Sequence, residues 1–120
     1  MDIVEFRDYC ILKPGVTEEF PFDNQTLVFK VMGKIFTICG VDDFDDINLK
    51  CDPEWALELR AEYPQIRPGY HMNKKHWNTV TTSAFHNAPL LRKMIDHSYD
   101  LVVSKLPKAK RDELKKGPVS

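Results

Sequence analysis

Between residues 26 and 41 the apolar positions fall in two short runs, Leu27-Val28-Phe29-Lys30-Val31 and Ile35-Phe36-Thr37-Ile38-Cys39, separated by Met32-Gly33-Lys34. β-Branched and aromatic residues on either side of a glycine-bearing break predict a hairpin. The acidic stretch Asp42-Asp43-Phe44-Asp45-Asp46 then reads as a turn into a third short strand, Ile47-Asn48-Leu49-Lys50-Cys51. A fourth strand is predicted at Trp77-Asn78-Thr79-Val80-Thr81-Thr82. Its alternation puts Trp77 and Thr79 on one face and Asn78 and Val80 on the other, so a regular strand cannot turn both Trp77 and Val80 inward. Trp77 is assigned a structural role, which requires it to meet a second apolar layer if Val80 faces the core.

Helical spacing replaces this alternation in three places. Asp2 is an N-cap with Glu5 three residues on, and Phe6, Tyr9, Cys10 and Lys13 follow on one face until Pro14-Gly15. Asp52-Pro53-Glu54 supplies an N-cap, a proline at the first helical position and an acid in the first turn. The helix it opens extends to about Tyr63, with Trp55, Leu59 and Tyr63 on its buried face. Asn87 and Pro89 begin the longest helix, in which Leu91, Met94, Ile95, Ser98, Val102 and Leu106 recur at three- and four-residue steps. Pro107 interrupts it, leaving a short basic helix and a disordered end, Gly117-Pro118-Val119-Ser120.

Strands in succession, flanked by helices without strict alternation, indicate an α+β domain whose antiparallel sheet is covered on one face. The 120 residues form one domain, spanning residues 1–116, with no internal repeat and no linker long enough to divide it. Hydrophobic content of 42% and charged content of 29% describe a globular chain. No apolar run reaches the length of a membrane-spanning helix, and Met1-Asp2-Ile3-Val4-Glu5 is acidic where a secretory signal is basic, so a cytoplasmic location and no membrane partner are expected. Cys10, Cys39 and Cys51 are odd in number and contain no CxxC pair, and read as small buried hydrophobes rather than a disulfide framework.

Charge changes the picture only by its distribution. Residues 1–60 hold 6 Lys or Arg against 13 Asp or Glu, while residues 61–120 hold 11 against 5, so halves of −7 and +6 nearly cancel. Such segregation suits one positive face that attracts a polyanion, or it reflects basic helix ends and acidic loops sorting by element.

The richest stretch is Pro68-Gly69-Tyr70-His71-Met72-Asn73-Lys74-Lys75-His76-Trp77. It offers Lys74 and Lys75 as phosphate partners, Asn73 as a bidentate hydrogen-bonding group, and Tyr70 and Trp77 as stacking platforms. The same residues also fit a solvated turn with Trp77 as a core anchor.

Enzymatic readings find less support, and no catalytic residue, cofactor or metal is expected. His71 and His76 are five apart and do not share a helical face as a zinc-binding pair at four-residue spacing does. There is no Gly-x-Ser-x-Gly elbow, and no glycine loop of the kind that cradles phosphates. The cluster Asp42, Asp43, Asp45 and Asp46 lacks the glycine and distal glutamate of a calcium loop and reads as a solubilising turn.

Phe29-Lys30-Val31, Leu49-Lys50-Cys51, Pro53-Glu54, Glu58-Leu59-Arg60, the whole block from Pro68 through Val80, and Ser98-Tyr99-Asp100-Leu101-Val102 together resemble the MmcQ/YjbR family of small bacterial proteins. The resemblance runs from about residue 3 to residue 111, and His71-x-Asn73-Lys74-x-His76-Trp77 leading into a strand is its most specific part. It implies a compact α+β fold with antiparallel strands in a double-wing DNA-binding arrangement. The chain departs from the family pattern at Thr82-Ser83-Ala84-Phe85-His86, which lacks a glycine turn.

The expectation that follows is a nucleic-acid-binding protein, with duplex DNA as partner and residues 67–77 as its surface. Arg67, Lys74 and Lys75 would neutralise phosphates, while Asn73, His71 and Tyr70 touch sugar or base edges beside His76. The competing expectation is a non-enzymatic interaction or small-ligand module in which His71, His76 and Trp77 line a pocket.

Overall fold

The structure, a computed structural model, describes residues 1–42, 44–69 and 72–116. Helix α1 (Ile3–Ile11) starts where Asp2 accepts the Glu5 amide at 2.9 Å, and it stops at Ile11 rather than Lys13. Strands β1 (Val16–Glu19), β2 (Thr26–Val31), β3 (Lys34–Gly40) and β4 (Asp46–Lys50) precede helix α2 (Pro53–Glu62). Strands β5 (Ile66–Pro68) and β6 (Trp77–Thr81) follow, then a 3₁₀ turn at Thr82–Ala84, helix α3 (Ala88–Ser104) and helix α4 (Lys108–Lys115).

The six strands form one antiparallel sheet in the order β1-β2-β3-β4-β6-β5. Two of them, β1 and β5, exceed the four predicted from the sequence. Both are short edge strands, and β5 includes Pro68, which an edge tolerates because one side of its backbone needs no ladder partner. The β2–β3 hairpin closes through Met32 and Gly33, both at positive φ (49° and 84°), the backbone of a two-residue turn whose twist matches its strands.

Cross-strand partners share a face, so the register places Leu27, Cys39, Ile47, Val80 and Ile66 in one row across the sheet. All five are buried in a core with Phe6 and Cys10 of α1, Ala56 and Leu59 of α2, and Leu91, Met94, Ile95 and Val102 of α3. The helices therefore cover one face, as expected. Every position of the predicted α3 stripe is buried, including Ser98 and, just beyond the helix, Leu106. On α2 the outcome differs: Ala56 and Leu59 are buried, whereas Trp55 and Tyr63 are half-buried, edge-on to His97 (4.6 Å) and Phe85 (5.4 Å).

Ser98 stitches α3 into the sheet. The β2–β3 register shifts between Phe29 and Lys30, leaving Phe36 as an extra residue, so Phe36 and Thr37 are consecutive yet both fully buried. The β3–β4 ladder ends at Thr37 and Leu49. Beyond that point the Ser98 hydroxyl donates to the Phe36 carbonyl at 2.5 Å and accepts the Lys50 amide at 2.9 Å, completing by side chain what the ladder leaves open. No helix among the described residues is long and apolar enough to cross a membrane.

Candidate nucleic-acid interface

The chain leaves β5 at Pro68 and returns to the sheet at Trp77, and local hydrogen bonds fold the intervening segment. Gly69 donates to the Trp77 carbonyl at 2.8 Å, and the Met72 amide donates to the Gly69 carbonyl at 3.0 Å. A methyl group on Gly69 would lie 2.9 Å from Trp77 Cβ, so only glycine permits this approach. Asn73 closes the next turn: its side-chain oxygen accepts the Lys75 amide at 3.0 Å and its carbonyl accepts the His76 amide at 3.1 Å.

Arg60, half-buried on α2, holds this turn from below. Its Nε donates to Asn78 Oδ1 at 2.7 Å, and Nη2 donates to the carbonyls of Lys74 at 2.5 Å and Trp77 at 3.3 Å. The Asn78 side chain is buried, and its Nδ2 donates to no protein atom. Sequence reasoning gave Arg60 no task; its only signal was membership of Glu58-Leu59-Arg60 among the residues carrying the family resemblance.

Asn73, Lys74 and Lys75 are exposed on the turn, and neither lysine is in an ion pair among the described residues. His76 is half-buried, with its carbonyl accepting the Cys51 amide at 2.8 Å. Tyr70 and His71 lie outside the described residues. Trp77 is 9% exposed on the sheet face opposite Val80, with Gly69 packed at its Cβ, so it serves as a structural anchor rather than a stacking platform.

Arg67 sits apart from the turn. From β5 its guanidinium reaches the far end of β6, donating to Asp46 Oδ1 at 2.9 Å and Thr81 Oγ1 at 3.0 Å. That pair joins a base of the basic half to an acid of the acidic half, as Lys13 and Asp96 do in reverse at 2.5 Å. The charge segregation of the sequence is thus partly folded away, and the cations left unpaired on the turn are Lys74 and Lys75.

Cys10, Cys39 and Cys51 are buried and unbonded, and burial pushes the Cys39 and Cys51 thiols up to about 12, which leaves them protonated at neutral pH. Among the described residues no three His, Cys, Asp or Glu side chains converge to hold a metal ion.

Residues 12–101 match the family model YjbR. The chain is 44% identical over 106 residues to the uncharacterised protein YbdF of Escherichia coli O157:H7, covering 88% of this chain and 85% of that one. It is 33% identical over 112 residues to the uncharacterised protein YjbR of Escherichia coli K12, covering 92% and 95%. A crystal structure of a Deinococcus radiodurans protein with a DUF419 domain superposes with a TM-score of 0.87 at 42% identity, covering 94% of this chain and 87% of that one.

Proposed function

This chain belongs to the YjbR family, and we propose that it binds nucleic acid, with duplex DNA as the preferred form, through the turn at residues 72–76. The observation that carries this reading is the pair Lys74 and Lys75, exposed and without ion-pair partners among the described residues, on a turn fastened by Arg60. Lysines carried on a fixed backbone neutralise phosphates without the full loss of backbone entropy that a mobile loop incurs on binding.

Lys74 and Lys75 contact successive phosphates and so give affinity without sequence preference. Asn73 closes the turn through Oδ1, which accepts the Lys75 amide, and its Nδ2 offers two N–H donors to a ligand. Those donors suit a phosphate or base-edge acceptor, while the bidentate adenine contact would need Oδ1 to accept a second hydrogen bond. Arg67, held by Asp46, contributes at the margin or not at all.

The test is a titration with labelled random-sequence duplex at two salt concentrations. Affinity that falls steeply as salt rises supports phosphate neutralisation. Absence of binding to DNA or RNA at low salt, where electrostatic association is strongest, overturns the reading.

A further inference from the structure

A second cluster of cations lies beneath the β2–β3 hairpin, in a cavity of about 190 Å³ lined by Lys34, Ile35, Lys50, Val102, Lys105 and Leu106. The three lysines come from separate elements: Lys34 begins β3, Lys50 ends β4, and Lys105 caps the C-terminus of α3. None of them forms an ion pair among the described residues.

We propose that this cavity binds a small phosphate monoester carrying a compact apolar body. Three lysines lining one space, two of them close enough for the Lys105 charge to act on Lys50, concentrate positive charge there, and an anion of nearly two charges offsets it more fully than a carboxylate does. Lys50 registers the crowding: burial, and then the charge on Lys105, push its pKa below the ordinary lysine value. The position of Lys50 is fixed, since its amide donates to the buried Ser98 hydroxyl.

The rest of the lining is apolar. Val102 and Leu106 are buried and Ile35 is half-buried, which gives the ester's organic part a surface that inorganic phosphate cannot use. A dry cavity of about 150 Å³ accommodates benzene, so this one has room for a phosphate with a ring or short alkyl group. The negative end of α3 opposes an anion, but it amounts to about half a charge against three ammonium groups. Its last carbonyls are also occupied, those of Val102 and Val103 by the amides of Lys105 and Leu106.

The site is independent of the nucleic-acid reading, because Lys74 and Lys75 do not line it. Its test is a methyl-resolved NMR titration with phenyl phosphate, alongside inorganic phosphate. Saturable shifts at Ile35, Val102 and Leu106 are expected, with phenyl phosphate binding at least about tenfold tighter than inorganic phosphate. Lys50→Met and Lys105→Met should each weaken phenyl phosphate by about tenfold or more, while Lys74→Ala with Lys75→Ala leaves it unchanged. Shifts that fail to saturate, or saturate equally well in both methionine variants, overturn the site. Equal affinity for the two phosphates overturns the apolar half of the proposal.

Discussion

Arg60 and Asn78 meet between α2 and β6, the guanidinium Nε donating to a buried amide oxygen at 2.7 Å. Because the same guanidinium also holds the Lys74 and Trp77 carbonyls, one side chain ties the helix, the strand and the lysine turn together.

Replacing Arg60 by methionine keeps the side-chain stem and removes the donors. Asn78 Oδ1 is then buried without a partner, and the expected cost is about 1–3 kcal/mol in urea unfolding. Amide exchange at residues 72–76 should quicken more than exchange in β2 and β3. A double-mutant cycle with Asn78→Ala should give a coupling of about 0.5–3 kcal/mol, and additive single changes would show that the contact carries no energy.

Ile95 is fully buried between α3 and the sheet. Truncation to alanine leaves a cavity in a core that relaxes only partly, so Ile95→Ala should lower unfolding free energy by about 2–5 kcal/mol. Equilibrium denaturation checks this, and a loss below about 1 kcal/mol contradicts the packing described.

Lys74→Ala with Lys75→Ala should weaken every duplex alike and make the salt dependence shallower by about two counterions at most. Asn73→Asp separates turn from charge. The carboxylate still accepts the Lys75 amide, so thermal stability should hold, yet the added negative charge beside both lysines should reduce DNA affinity. Unchanged affinity in both variants moves binding away from this turn.

His97 supplies a pH-dependent contribution. Its Nε2 accepts the Asp52 amide at 3.0 Å, which requires the neutral imidazole. Burial lowers its pKa, outweighing the opposite pull of Asp52 and Asp100. Below the ordinary value near 6.5 the unfolded chain takes up the proton first, so this stability is full above that value and lost as pH falls below it. His97→Gln keeps an acceptor but does not titrate. Its melting temperature should fall less than that of the wild type between about pH 7 and pH 5, as measured by thermal denaturation.

The helices were legible in the sequence because their starts are chemical: Asp2, Asp52-Pro53 and Asn87 each announce a cap, and all three side chains accept the expected amides. The α3 stripe was legible in full, since Leu91 to Leu106 repeats at helical spacing. The edge strands were not. Val16–Glu19 ends in two glutamates and Ile66–Pro68 is bounded by prolines, so neither shows the alternation that marks a half-buried strand.

The candidate site was legible as a stretch but not as an arrangement. Lys74, Lys75 and Asn73 share a turn because they are neighbours in the chain. The pairing of Arg67 with Asp46 depends on strand register 21 positions apart, and the hold of Arg60 on the Lys74 carbonyl on helix placement 14 positions away. Trp77 became an anchor because Gly69 closes over its Cβ, a contact that neither residue type announces.

Both margins of the sheet are poor templates for another chain. At one, β5 offers three residues, and Pro68 has no N–H to donate. At the other, β1 carries Glu18 and Glu19, paired with Arg7 and Lys30, so two such margins meeting would have to bring charged, ion-paired side chains together. Phe20 and Phe22 lie exposed just beyond β1 and would otherwise favour sticking. Short, charged and proline-bearing edges of this kind oppose strand addition by another chain.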